Sequence, residues 1–116
     1  MAPLAATPKH PGRKIFVAPN GARRQKTDHE ALPVTIREIV ATAVSCHQAG
    51  ATGIHAHVRD KQGRHVLDAG LYREALAELG RVLPDLRVQI TTESVGLYEP
   101  EFQRRLALAT GAGLVS

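Results

Sequence analysis

Three times in succession the chain follows a short run of β-formers with a stretch of apolar residues at helical spacing, and this alternation restricts its fold more than any other feature. Lys14-Ile15-Phe16-Val17-Ala18 reads as a first strand, stopped by the turn-forming Pro19-Asn20-Gly21. Thr35-Ile36-Arg37-Glu38 has the form of a capping box, in which the Thr35 hydroxyl and the Glu38 carboxylate satisfy backbone donors left open at a helix start. Ile36, Ile39, Val40, Ala43, Val44 and His47 follow at helical spacing, and Gly50 is placed to end that helix. Gly53 to Val58 is a second strand, with a polar turn from Asp60 to Gly63. Leu71, Tyr72, Ala75, Leu76, Leu79, Val82 and Leu83 mark a second amphipathic helix closed by Pro84. Leu86 to Thr92 alternates apolar and polar as a third strand should. Glu99-Pro100-Glu101 opens a third helix, with Pro near its first position and acids at its positive end. It ends near Gly111-Ala112-Gly113, and Leu114-Val115-Ser116 begins a fourth strand.

Strands separated by helices must run parallel, with right-handed crossovers. Two architectures satisfy this: an open doubly wound sheet, or part of an eight-stranded barrel. Asn20-Gly21-Ala22-Arg23-Arg24 lacks the glycines that a pyrophosphate needs after a first strand, which counts against a dinucleotide fold. Polar and titratable residues gather instead where strands end: after Val17, at His55 to Asp60 and at Thr91 to Glu93. Barrel enzymes keep their chemistry there. The fold expected is therefore α/β, the first three β/α units of a (β/α)8 TIM-type barrel, incomplete. Residues 14–116 carry it, preceded by an Ala- and Pro-rich extension over residues 1–13 that has no secretory pattern.

Composition narrows the function. At 116 residues one domain is expected, and two Phe, two Tyr and no Trp leave small aliphatic residues to fill the core of stacked α/β layers. The formal charge of +4 comes from scattered basic residues with few aromatics between them, so nucleic acid is not an expected partner. No apolar run approaches a membrane span. The single cysteine, Cys46, falls on or beside the apolar face of the first helix; it reads as a core thiol, and cytoplasm is the expected setting. The loop from Ala22 to Pro33 carries Arg23, Arg24, Lys26, Asp28 and His29 and is long for a strand-to-helix connection, as functional or mobile loops are.

Chemistry concentrates in His55-Ala56-His57-Val58-Arg59-Asp60. On a strand, residues two apart point to one face, so two imidazoles spaced this way can converge on a metal ion. The bland reading is a pair of polar residues at a strand end. Arg59 and Asp60 could orient such a site or simply pair with each other. Asn20 lies at the first strand's end near any site, although turn formation is the commoner reason for that residue. His10 and His29 read as solvated loop residues, His47 as helical and His65 as part of a turn, none at a spacing that demands a metal.

With these residues in view, the sequence resembles the amino-terminal part of the β-keto acid cleavage enzymes, the family typified by 3-keto-5-aminohexanoate cleavage enzyme. The resemblance rests on Ala18-Pro19-Asn20-Gly21-Ala22, Leu32-Pro33-Val34-Thr35, Ala49-Gly50-Ala51, His55 to Asp60, Gly63-Arg64 and Val88-Gln89-Ile90-Thr91-Thr92-Glu93. It implies a zinc-dependent (β/α)8 barrel that combines a β-keto acid with acetyl-CoA to give acetoacetate and a new CoA ester. It also implies His55 and His57 as metal ligands, with a third ligand Glu, an Asp base and an Arg at positions this chain does not reach. Full-length members are expected to be homo-oligomers.

By the same resemblance Thr91, with its neighbours Thr92 and Glu93, holds the substrate carboxylate, although Glu93 replaces a Gly of the typical member. Arg23 falls where the typical member carries a Glu that meets a substrate amino group. An Arg there repels an ammonium and attracts a carboxylate, which points to an anionic or neutral β-keto acid. Two alternatives are weighed against this. Amidohydrolase-like metal-dependent barrels also carry His-x-His, but on the first strand rather than the second. A complete barrel takes about 250 residues, so the chain could instead be a truncated, catalytically inactive fragment, binding zinc only weakly through two ligands and self-associating through an open sheet edge.

Overall fold

A computed structural model describes residues 12–116, so His10 and most of the expected extension lie outside the described residues. Four strands, β1 (Phe16–Val17), β2 (Gly53–Ala56), β3 (Arg87–Ile90) and β4 (Leu114–Val115), alternate with three helices, α1 (Ile36–Gln48), α2 (Ala69–Val82) and α3 (Pro100–Thr110). The sheet is parallel throughout and its strands lie side by side in chain order, β1-β2-β3-β4. A doubly wound sheet reverses its strand order partway. Sequential order with crossovers of one hand keeps every helix on the same face, and α1 packs on α2 and α2 on α3. The arrangement is consistent with part of a β/α barrel wall.

The registers explain where the core lies. Ile54 pairs with Val88, and Ala56 with Ile90, so these side chains share the helix-covered face. Ile54 and Ala56 pack there with Ile39 and Ala43 of α1 and Leu79 and Val82 of α2, and a second cluster joins Val58, Tyr72, Ile90 and Leu106 beneath α2 and α3. The opposite face carries Gly53 beside Phe16, and His55 beside Gln89.

The helices start where the sequence signals them. Thr35 caps α1, its hydroxyl accepting from Glu38 N at 3.1 Å while Glu38 Oε1 accepts from Thr35 N at 3.0 Å. Glu99 precedes Pro100 at the start of α3, and Gly111 closes that helix in the left-handed region at φ 67°. The second helix begins two residues earlier than its apolar spacing indicates, because the Asp68 carboxylate caps Leu71 N at 2.8 Å.

All the strands with a predicted extent are shorter than predicted. Pro19 has no N–H with which to continue the first ladder, so β1 stops at Val17 and the chain turns away. The long loop is ordered rather than loose. Lys26 Nζ donates to the carbonyls of Glu30 and Leu32 and pairs with Glu38 at 2.6 Å. Cys46 is a half-buried free thiol on α1.

Candidate active site

Beyond Ala56 the second strand loses its ladder and gains a side-chain substitute. The buried Asn20 amide brackets the backbone of His57, with Nδ2 donating to His57 O at 2.6 Å and Oδ1 accepting from His57 N at 3.3 Å. Asn20 Nδ2 also reaches Pro33 O at 3.1 Å. One amide thus continues the β1–β2 pairing where Pro19 interrupted it, and places His57 on the face opposite the helices, beside His55. Their rings meet edge to face with centroids 5.0 Å apart. His55 Nδ1 lies 2.8 Å from Gln89 Oε1 on β3.

The next element down the chain is a hairpin. Arg59 and His65 form an antiparallel bridge, closed by bonds from Asp60 N to Arg64 O and from Gly63 N to Asp60 O. The Asp60 carboxylate accepts from Gln62 N and Arg64 N and pairs with Arg64, not with Arg59. Those bonds hold its carboxyl below the usual range, with the backbone bond from Arg64 the largest cause. Arg59 points inward, 6% exposed, and its guanidinium donates to four main-chain carbonyls: Asn20, Gly21, Arg24 and Gly63. It fastens the β1 loop to the hairpin.

The hairpin also delivers a third imidazole. His65 Nδ1 lies 3.4 Å from His57 Nδ1, and His65 Nε2 lies 2.7 Å from the carbonyl oxygen of Glu93. Burial, then His65, His55 and Arg59, push the His57 imidazole down to about 3, so it is neutral at neutral pH. Sequence reasoning assigned His65 to a turn and gave it no partner. The signal that could have found it is the turn itself: folding the chain back at Asp60–Gly63 sets His65 and Val66 alongside Arg59 and Val58.

At the end of β3, Thr91 is buried and its hydroxyl accepts from Glu93 N at 3.0 Å. Thr92 turns the other way, its N–H and hydroxyl both donating to Ser116 O at 2.7 and 2.8 Å. Arg23 and Glu93, reaching in from two loops, stand 4.0 Å apart with the Arg23 side chain 79% exposed. His55, His57, Asn20, Arg59, Thr91, Glu93 and Arg23 are therefore drawn to one end of the sheet. Asp60 and Thr92 lie at its margin, Asp60 engaged with its own hairpin and Thr92 with Ser116 beyond β4. A cavity of about 780 Å³ opens on the helix side between Val34, Arg37, Arg59, Asp60, Leu71 and Glu74, and none of the three histidines lines it.

Two imidazoles on one strand end are good donors for a divalent metal, and in both the Nδ1 is occupied by a protein group while no bond from a described residue reaches Nε2. That donor chemistry fits zinc. Among the described residues, no group of three or more His, Cys, Asp or Glu side chains is arranged to hold a metal ion.

Parallel strands gather imidazoles, threonines and an exposed Arg–Glu pair at their carboxyl ends, which is where α/β folds of this class place their chemistry. The chain belongs to the β-keto acid cleavage enzyme family, whose model matches residues 14–113. It is 34% identical over 88 residues to 3-keto-5-aminohexanoate cleavage enzyme of Fusobacterium nucleatum subsp. nucleatum, covering 75% of this chain and 32% of that protein. The same-named enzyme of Acetoanaerobium sticklandii is 32% identical over 88 residues, with the same coverage. A 3-oxoadipate:acetyl-CoA acetyltransferase of Cupriavidus necator is 30% identical over 78 residues, or 67% of this chain and 28% of that protein. The chain thus spans about a third of the length of the curated relatives it matches.

Proposed function

We propose that this chain supplies the first β/α units of a zinc-dependent (β/α)8 barrel that cleaves a β-keto acid with acetyl-CoA. In this reaction the acyl group leaves its acetate unit for CoA, and the acetyl group of acetyl-CoA joins that unit as acetoacetate. The observation that carries the reading is the pair His55 and His57, side by side at the strand end with neither Nε2 bonded by a described residue. These two nitrogens would hold the metal, which when bound polarises the substrate's keto and carboxylate oxygens and stabilises the enolate. The described residues supply two donors, so further ligands and the principal base come from outside them.

The remaining residues bind and position. Thr91, with Thr92 and Glu93, forms the loop that receives the substrate carboxylate. Asn20 and Arg59 keep the His57 backbone and the β1 loop in place, and Asp60 secures the hairpin. Arg23 selects the far end of the substrate. An exposed guanidinium attracts a second carboxylate, such as the one 3-oxoadipate carries, rather than an ammonium. The assembled enzyme is a homo-oligomer of the cytoplasm in this reading, and no helix among the described residues is long and apolar enough to cross a membrane.

Titrating the chain with Co²⁺ and following its visible absorption tests the ligand assignment. Ligand-field bands are expected, weakened in His55→Ala and His57→Ala and lost in the double variant; equal binding by the double variant refutes it. A complete barrel carrying this Arg23 loop, offered amino and dicarboxylic β-keto acids with acetyl-CoA, tests the specificity. Preference for the amino substrate would overturn the role given to Arg23.

A further inference from the structure

We infer that His65 is a positioning residue that sets the tautomer of His57, through a two-imidazole relay anchored on the main-chain carbonyl of Glu93. A carbonyl oxygen only accepts, so the 2.7 Å contact with Glu93 O requires the hydrogen of neutral His65 to sit on Nε2. His65 Nδ1 is then a bare lone pair. It faces His57 Nδ1 at 3.4 Å, and two lone pairs cannot share that contact, so His57 carries its hydrogen on Nδ1. His57 Nε2 is left bare and able to bind a cation. Gln89 Oε1 acts on His55 in the same way, drawing its hydrogen to Nδ1 at 2.8 Å. Both rings of the His-x-His pair are thereby set in one tautomer, His55 by an amide and His57 by a second imidazole.

A neutral histidine side chain in water favours the other tautomer, with hydrogen on Nε2, so the relay has a bias to overcome. Its anchor is also informative: Glu93 belongs to the loop assigned to the substrate carboxylate. The hairpin contact from His65 to Glu93 therefore couples that loop to the state of His57. The consequence for metal binding rests on the zinc reading above, whereas the relay itself rests on the contacts alone.

Two-bond ¹H–¹⁵N correlation spectra of the full chain, taken at alkaline pH where imidazoles are neutral, report which ring nitrogen bears hydrogen. The expected result is Nδ1–H for His57 and Nε2–H for His65. Replacing His65 by Asn offers an amide oxygen near the original Nδ1 and should retain the His57 tautomer. His65→Phe should shift His57 toward Nε2–H and weaken Zn²⁺ binding by roughly 10- to 100-fold, the usual effect of losing a ligand's hydrogen-bond partner. Wild-type His57 found as Nε2–H, or unchanged by His65→Phe, overturns the relay. Should His65→Phe not fold, the wild-type and His65→Asn spectra decide alone. Expected tautomers without Zn²⁺ binding by the wild type would uphold the relay and reject the metal reading.

Discussion

Arg59 is a buried cation whose partners are main-chain dipoles rather than a carboxylate. Its planar fork serves carbonyls of Asn20, Gly21, Arg24 and Gly63 at 2.7 to 3.2 Å, a geometry that an ammonium on a single stem does not reproduce. Arg59→Lys is expected to cost about 3 kcal/mol, from lost charge-assisted hydrogen bonds and carbonyls left unpaired, and urea denaturation would measure it. His57 sets a pH dependence. Its folded value, about 3, lies below the ordinary 6.5, so the unfolded chain binds the proton more readily. The contribution of His57 to stability is complete above about pH 6.5, declines as pH falls, and is exhausted near pH 3. In melting curves taken across that range, His57→Gln should flatten the slope above pH 4.5, before Glu38, whose carboxyl is held down to about 2 by Lys26, begins to contribute. The His-x-His spacing was legible in the sequence because a strand converts a gap of two directly into a shared face. His65 was not, because its approach depends on a hairpin register that no periodicity encodes.

Among the elements, α1 shows how a start signal can also organise a loop. Glu38 completes the capping box with Thr35, accepts from Val34 N and receives Lys26 of the preceding loop. Thr35→Ala should cost about 1 kcal/mol, the usual loss for a capping side chain. Glu38→Ala should cost more and speed amide hydrogen exchange across residues 22–33, while Thr35→Ala leaves most of that loop protected. Equal exchange in the two variants would show that Lys26 does not depend on Glu38. Helices were more legible than strands for a physical reason. Their caps and stops are local, whereas strand ends here depend on neighbours distant in sequence, as with Asn20 holding His57.

For the whole molecule, the alternation of strand and helix leaves two architectures open, and the chain-order sheet is consistent with the one in which helices share a face. Among the described residues that sheet is open on both sides. Among the described residues nothing pairs with the outer edges of β1 and β4, where Phe16 and Val115 are 41% and 38% exposed. Unpaired edges with apolar side chains favour contact with other chains. Light scattering should therefore show the average mass rising with concentration, and a constant monomer mass would refute this. The order of the strands also bears on how the polypeptide is made. Each strand pairs with the one synthesised just before it, so a ribosome can add one strand and helix at a time to a sheet already begun. Each strand from β2 to β4 finds a partner already made, and loop-closure costs stay small at each of these steps.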